Sequence, residues 1–207
     1  MSKPESRECV APVYAGRRAR LAAHMRRGVA IIPTAPERTR NRDSHHPYRF
    51  DSYFYYLTGF VEPEAVLVIL AGEQPKSVLF CRDKDVEREI WDGFRYGPDA
   101  ARAVFSIDEC YKIGELDARM PALLADQPQV CCRLGSDEAW DARVLGWLNA
   151  VRAQVRNGVA APGAITDLHG VLDDMRVVKD AHELAIMRRA AAISTAAHRR
   201  AMRATAP

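Results

Sequence analysis

The chain has 207 residues, of which 48% are hydrophobic and 28% are charged, as in an ordinary globular protein of one domain or of one domain with part of a second. No apolar run approaches the roughly 18–20 residues that cross a bilayer. The N-terminal stretch MSKPESRECVAPVY lacks the apolar region of a secretory signal. We therefore expect a cytoplasmic protein without a membrane-spanning helix.

Positive charge is concentrated near the start of the chain. Between Ala11 and Arg42 there are eight arginines and one acid, Glu37, so this segment carries +7 and the remainder −4. Such a segment is compatible with binding to nucleic acid or with a transit peptide. Lysines are scarce here and no aromatic residues alternate with the arginines, so we interpret Arg17–Arg27 as a solvated helix face and expect no nucleic-acid binding.

Five cysteines are present, an odd number without a CxxC pair. Cys131 and Cys132 are adjacent and would point to opposite faces of a strand. This spacing is typical of reduced thiols and does not predict a disulfide framework or a zinc site.

The first part of the chain predicts a sheet built around one strand. In chain order, the pattern gives a helix (Gly16–Arg27, closed by Gly28), a strand (Val29–Ile32), a loop (Thr34–Pro47), an aromatic block (Tyr48–Tyr56) and antiparallel strands (Ala65–Leu70 and Ser77–Cys81). Ala65–Leu70 is uninterrupted and apolar, which favours a strand buried on both faces. We expect the aromatic block to line the rim of its core, with turns at Thr58-Gly59 and Glu62-Pro63.

The segment from Arg82 to Phe105 is charged and is interpreted as a loop that exposes Trp91, Phe94 and Tyr96 between Gly93 and Gly97. Large rings are normally buried, so three of them on a glycine-flanked segment are unusual. Two explanations stay open. Either the rings fold back on their own sheet, or they contact a partner or ligand.

Strands and helices alternate in the rest of the chain, which predicts an α/β domain with a mixed sheet. In chain order these are a strand (Ile107–Tyr111), a helix (Ile113–Leu124, in which Pro121 is a possible break), a strand (Gln129–Leu134), a helix (Glu138–Arg156, closed by Asn157-Gly158), a linker (Val159–Ala164) and a helix (Leu168–Val178).

The last predicted helix begins at Asp180, which forms a capping box with Glu183, and runs to about Arg203. At about 1.5 Å per residue it is roughly 35 Å long. Its stripe of Ile186, Ala190 and Ile193 favours close packing against another element, yet the chain stops soon after it. We therefore expect the sequence to be the N-terminal part of a longer protein.

Other chemistry-bearing residues have simpler interpretations. His45-His46 lack nearby carboxylates and are interpreted as loop residues. The cluster Asp167, His169, Asp173 and Asp174 is interpreted as a helix cap with acids in the first turns. No GxSxG, P-loop or GxGxxG motif occurs in the sequence.

Three segments carry a family resemblance: PYRFDSYFYYLTGFVEPEAVLVI, SVLFCRDKDVEREIWDGFRYG and MRVVKDAHELAIMRRAAAIS. Together they resemble the N-terminal region of the bacterial aminopeptidase P (Xaa-Pro aminopeptidase) family. The resemblance implies a creatinase-type α/β domain over residues 1–178, with a mixed sheet flanked by helices. Residues 179–207 would then form the first helix of a pita-bread catalytic domain.

The resemblance also implies a function for the longer protein. Members of the family remove an N-terminal residue that precedes proline, with two manganese ions that activate a water molecule. The matching metal ligands would lie beyond Pro207, so we expect no metal site, no catalytic residue and no peptidase activity in these 207 residues.

The resemblance implies that two parts of this chain would still contribute to the active site of the longer protein. In tetrameric relatives, a tryptophan matching Trp91 reaches over the active site of a neighbouring subunit, so Trp91, Phe94 and Tyr96 are candidates for contact with a substrate or partner. Arg156 resembles a second residue near the substrate groove, or is simply a basic residue near a helix C-terminus. The implied partners are the protein's own catalytic domain, further copies of the chain and a peptide with proline second.

Two alternatives remain at the level of sequence. One is a non-enzymatic binding module of the aminopeptidase-like fold, whose basic helix would contact an acidic partner. The other is the N-terminal domain of a prolidase, which differs by cleaving only dipeptides.

Overall fold

The computed structural model describes residues 11–205; residues 1–10 and 206–207, and with them Cys9, lie outside the described part. The strands are β1 (Gly28–Pro33), β2 (Thr39–Asn41), β3 (Ser44–His45), β4 (Val66–Ala71), β5 (Lys76–Cys81), β6 (Glu109–Lys112), β7 (Gln129–Cys132) and β8 (Ala164–Asp167). The helices are α1 (Ala11–Met25), α2 (Ser52–Thr58), α3 (Glu89–Asp92), α4 (Gly97–Phe105), α5 (Leu116–Leu124), α6 (Glu138–Arg152), α7 (His169–Val177) and α8 (Ala181–Ala204). Short 3₁₀ turns occupy Ile113–Glu115 and Val155–Asn157.

Six strands form one mixed sheet in the order β6-β5-β4-β1-β7-β8. Strand β4 is antiparallel to β1 and β5, whereas the other neighbouring pairs are parallel. Five strands therefore end, and β4 begins, at the same edge, which we call the C-terminal edge of the sheet. The predicted α/β class with a mixed sheet is confirmed, and so is the central, almost fully buried strand at 66–71.

Helices cover both faces of this sheet because successive strand residues point to opposite sides. On one face, Val68, Phe80 and Val130 pack with Leu116 and Leu148 from α5 and α6. On the other face lie α1, α2 and α4, which contact β4, β1 and β5. The core strands are buried on both sides, which explains their nearly continuous apolar sequences.

Several predicted boundaries are wrong for local reasons. The linker predicted over 159–164 leads into β8, which pairs in parallel with β7; its four residues are all exposed, so no apolar alternation marked it as a strand. The predicted loop over 34–47 contains the small β2–β3 hairpin. Pro121 lies inside α5 without ending it, and α6 ends at Arg152.

The end of α1 also differs from the prediction. The helix ends at Met25, and Arg26 takes the left-handed conformation with φ of 62°. Gly28 instead opens β1, where a Cβ atom would lie 2.6 Å from Gln129 Cγ and 2.7 Å from Gln129 O. Glycine is thus required for close approach to β7 rather than for ending a helix.

The aromatic block contains α2. Asp51 caps this helix by accepting from the N–H groups of Tyr53 and Phe54, both at 2.9 Å, and Gly59 ends it at the predicted turn. Phe54 and Tyr56 are buried, while Phe50 and Tyr55 stack at the rim with centroids 4.3 Å apart. The rings therefore belong partly to the core and partly to its border.

The interpretation of Arg17–Arg27 as a solvated face is wrong at Arg17 and Arg18, whose exposed fractions are 5% and 4%. Arg17 donates to Tyr56 O and Arg18 to Leu57 O, both at 3.0 Å. These carbonyls lie in the last turn of α2, where no intrahelical donor remains. Arg18 also donates to Ser106 O at 2.5 Å, after α4, so one side chain joins three helices.

The chain divides into two compact units, one through Val171 and one from Leu172 onward. In the second unit, the capping box of Asp180 and Glu183 is confirmed, with Glu183 N–H donating to Asp180 Oδ1 at 2.9 Å. The apolar residues Ile186 and Ile193 of α8 are exposed. None of the helices described is both long enough and apolar enough to cross a membrane.

We expect Arg18→Met to lower the free energy of unfolding by about 2–4 kcal/mol, because it leaves buried carbonyl oxygens without donors. Arg27→Met is the matched control, since Arg27 is exposed, and should change it by less than about 0.5 kcal/mol. Urea denaturation of both variants measures the difference. Equal stabilities would show that Arg18 does not hold the three helices together.

Candidate functional site

Residues 82–97, which we call the Trp91 segment, leave the sheet at the end of β5 and lead into α4. Its centre is α3, a helix of four residues that carries Trp91. The exposed fractions are 87% for Trp91, 78% for Ile90 and 70% for Val86, all apolar side chains. Such a cluster of exposed apolar groups is typical of a contact surface.

The other two predicted site residues differ from Trp91. Tyr96 is half-buried, and its ring lies 5.1 Å from the ring of Phe105 and 6.0 Å from that of Phe60. Phe94 is 45% exposed and meets Tyr96 edge-on at 5.0 Å. The expectation of an exposed ring is thus wrong for Tyr96, which folds back onto the core and fixes the end of the Trp91 segment.

Lys84 organises the middle of the Trp91 segment. Its ammonium group pairs with Glu89, donates to Arg95 O at 2.9 Å and lies 4.2 Å from the centroid of the Phe94 ring. Glu89 Oε1 also accepts from Arg95 N–H at 2.8 Å. Gly97 has φ of 69°, and a Cβ atom there would lie 2.9 Å from Lys84 Cβ. The segment is therefore cross-linked through polar contacts and is closed tightly at its end.

A buried charged cluster joins Glu62 to two arginines of the Trp91 segment: Glu62, Arg82 and Arg95 are 6%, 8% and 8% exposed. Glu62 Oε1 accepts from Tyr96 N–H at 2.8 Å, and Glu62 Oε2 lies 3.6 Å from Arg82 Nη2. Arg95 Nη2 pairs with Asp92 Oδ2 at 2.5 Å. Burial raises the pKa of Glu62, while the N–H of Tyr96 and the charges of Arg82 and Arg95 act in the opposite direction.

Arg156 lies elsewhere. It is exposed in the 3₁₀ turn after α6 and precedes β8, so it belongs to the end of the sheet opposite the C-terminal edge. Four strand intervals separate β5 from β8, which corresponds to about 19 Å across the sheet. One copy of the chain does not bring Arg156 and Trp91 together.

A crevice of about 280 Å³ opens at the C-terminal edge between β1 and β7, a position where open α/β sheets often bind ligands. Its acids are already engaged. Asp51 pairs with Arg133 at 2.9 Å, Asp137 caps α6, and Asp141 accepts from Gly135 N–H at 3.0 Å. The crevice therefore offers less for recognition than the exposed Trp91 segment.

Comparison with known proteins identifies the family. The family model for the aminopeptidase P N-terminal domain matches residues 14–131, more than half of the chain. This chain belongs to the aminopeptidase P family. The Xaa-Pro aminopeptidase of Escherichia coli K12 is 39% identical over 194 residues, which cover 92% of this chain and 44% of that protein. The resemblance deduced from the three sequence segments is confirmed.

Solved structures agree with this assignment. The aminopeptidase PepP of Pseudomonas aeruginosa matches with a TM-score of 0.91 and 42% identity, covering 95% of this chain and 45% of that one. A zinc-substituted E. coli aminopeptidase P in complex with product matches with a TM-score of 0.91 and 37% identity, over 95% and 46%. This aminopeptidase P chain spans less than half the length of the relatives it matches and corresponds to their N-terminal part.

One of these relatives, the E. coli aminopeptidase P, is zinc-substituted in its solved structure. Within residues 11–205 of this chain, no group of three or more His, Cys, Asp or Glu side chains could hold a metal ion. Asp167 and His169 do meet, with Oδ1 and Nδ1 2.8 Å apart, but this contact forms a pair at the start of α7. The residues described do not fit a metal centre.

Sequence reasoning missed the buried cluster in this aminopeptidase P chain. Glu62 was interpreted only as part of a turn, and Arg82 and Arg95 only as loop charges. The available signal was the position of Glu62 between the apolar residues Val61 and Pro63 directly before a buried strand. A carboxylate there must either be exposed or find a positively charged partner.

We expect Glu62 to make the free energy of unfolding fall with rising pH. The unfolded carboxyl ionises near its ordinary pKa of 4.5, whereas the folded carboxyl retains its proton to higher pH. The unfolded state therefore binds fewer protons in this window, so stability decreases as the pH increases.

The measurement compares wild type with Glu62→Gln from about pH 4 to about pH 8. Wild type should lose stability relative to the variant as the pH rises. Glu64→Gln, at an exposed position of the same EPE motif, is the control and should show no such trend. A constant difference between wild type and Glu62→Gln would contradict the raised pKa.

Proposed function

We propose that this chain is the substrate-access and oligomerising N-terminal domain of a cytoplasmic metallo-aminopeptidase. The whole enzyme would release the N-terminal residue of peptides with proline second, using two manganese ions. The catalytic domain, beginning near residue 179, would hold these ions and supply the activated water. The observation that carries the proposal is the 87% exposure of Trp91 on a segment fixed by buried charges.

The chemistry of the substrate suits an exposed indole. A prolyl ring is compact, apolar and without an amide N–H, so an aromatic face covers it without breaking a hydrogen bond. Covering the ring also removes water from the neighbouring peptide bond, which strengthens electrostatic interactions there. The role of Trp91 would thus be to close the groove over the substrate, while hydrolysis would take place in the catalytic domain.

The positions of Trp91 and Arg156 support an oligomer. They lie at opposite ends of the strands and next to strands that are four intervals apart, so one copy is poorly arranged to place both at one active site. If each serves an active site, Arg156 would contribute to the site of its own chain and Trp91 to that of a neighbour. Ile90 and Val86 would then be covered at the contact between subunits.

The alternative of a non-enzymatic module has less support. It depended on the basic helix as a contact surface for an acidic partner, but Arg17 and Arg18 are buried against α2. The relatives in the comparison are Xaa-Pro aminopeptidases, which favours the aminopeptidase over the prolidase alternative. The four cysteines among the described residues are free, as in a reducing compartment.

A chimera tests the role of Trp91. In it, this chain replaces the matching N-terminal part of the E. coli enzyme. We expect Trp91→Ala to lower kcat/KM for tripeptides and longer peptides roughly three- to tenfold, since an aromatic contact contributes about 0.5–1.5 kcal/mol. The control is Leu145→Ala, which removes an exposed apolar side chain of α6, outside the Trp91 segment, and should stay within about twofold. Unchanged kinetics of Trp91→Ala would refute the role.

The purified 207-residue chain should hydrolyse no Xaa-Pro peptide, with or without added manganese, because the metal ligands are proposed to lie in the catalytic domain. A fluorogenic Xaa-Pro substrate provides the measurement, and the chimera serves as the positive control. Manganese-dependent cleavage by the purified chain alone would contradict this division of labour.

A further inference from the structure

Helix α3, which carries Trp91, is too short to be stable by itself. It has four residues, and its N-cap residue, Arg88, makes no side-chain capping bond. Isolated helices need more than about 12 residues to be even marginally stable in water. The position of Trp91 must therefore be determined by contacts that connect α3 to the rest of the fold.

Those contacts converge on Arg95 and Tyr96. Asp92 of α3 pairs with the Arg95 side chain, and Glu89 of α3 accepts from the Arg95 N–H at 2.8 Å. The next N–H along the chain, that of Tyr96, donates to Glu62 Oε1 at 2.8 Å. Glu62, which lies four residues before strand β4, is thus a buried link between the Trp91 segment and the sheet. A second, exposed link is the ion pair of Asp83 with Lys112 of β6.

Stability does not explain why a carboxylate occupies this position. Glu62 Oε2, Arg82 Nε and Arg95 Nε are buried and make no hydrogen bond within residues 11–205. Glu62 Oε2 lies 3.6 Å from Arg82 Nη2, too far for a good hydrogen bond. Buried charges that are incompletely paired are often less favourable than apolar residues of the same size. What this carboxylate does provide is one fixed acceptor for the Tyr96 N–H and one negative charge that interacts with the buried guanidinium groups of Arg82 and Arg95.

We propose that Glu62 is a positioning residue for Trp91: it attaches both ends of the Trp91 segment to strand β4, through Arg82 at the start and Tyr96 at the end. Its effect on the structure is independent of enzymatic activity. Its effect on turnover rests on the role proposed above for Trp91.

Hydrogen exchange of the 207-residue chain, measured by mass spectrometry, tests the structural part. Glu62→Ala should accelerate exchange of residues 83–97 at least about tenfold and leave β1, β4 and β7 unchanged. Glu62→Gln should give a smaller local acceleration, at least about threefold, since its amide oxygen can still accept from Tyr96 N–H. Glu64→Ala, the control, should match wild type.

Three outcomes would overturn the proposal: unchanged exchange of residues 83–97 in Glu62→Ala, equal acceleration across the whole sheet, or the same local acceleration in Glu64→Ala. The second would make Glu62 an ordinary part of the core. Should Glu62→Ala fail to fold, Glu62→Gln alone decides, and local acceleration below about threefold then rejects the proposal.

Kinetics of the chimera separate this proposal from the role of Trp91. Glu62→Gln should lower kcat/KM for tripeptides, and adding it to Trp91→Ala should change the rate by less than about twofold, because both act through the same ring. Independent, multiplicative losses would contradict the positioning role. If exchange responds as expected but Trp91→Ala has normal kinetics, the positioning of the segment stands and the proposed role of Trp91 fails.

Discussion

The antiparallel pairing of β4 with β5 determines where the charges of the candidate site meet. Val66 pairs with Phe80, so the residues just before β4 lie beside those just after β5. This brings Glu62 to Arg82, the first residue of the Trp91 segment. Were β4 parallel to its neighbours, Glu62 would lie at the other end of the sheet. The direction of one strand thus creates the buried cluster, and the cluster supports the only contact surface that we assign to the function.

The same topology separates the two residues that the family resemblance brought into consideration. Trp91 follows the C-terminal edge, whereas Arg156 precedes β8 at the opposite end. Both residues are exposed, but the distance between them prevents them from acting together within one copy. In the function proposed above, this domain would serve two active sites at once, one through each end of its sheet. The catalytic chemistry would then depend on assembly of the subunits.

Much of the fold could be predicted because burial and secondary structure follow the same pattern in the sequence. The strand at 66–71 is apolar throughout since helices cover both its faces, and Asp180 with Glu183 marks the start of α8 through short-range hydrogen bonds. Strand β8 could not be predicted, because an exposed edge strand needs no apolar residues. Arg17 and Arg18 were misjudged for a related reason. Their carbonyl partners lie 39 residues away, and nothing local reveals that a charged side chain will be buried.

The candidate site was only partly visible in the sequence. Trp91 stood out because a large ring on a charged, glycine-flanked segment has no local reason to be there, whereas Tyr96 looked the same and proved to be packed against Phe60 and Phe105. Mixing two impaired chimeras tests the central claim most directly: one carries Trp91→Ala and keeps reduced activity, and the other keeps Trp91 but lacks a metal ligand of the catalytic domain. If Trp91 serves a neighbouring subunit, oligomers re-formed from the mixture will cleave tripeptides faster than the sum of the two parents. Activity that never exceeds that sum would contradict the account.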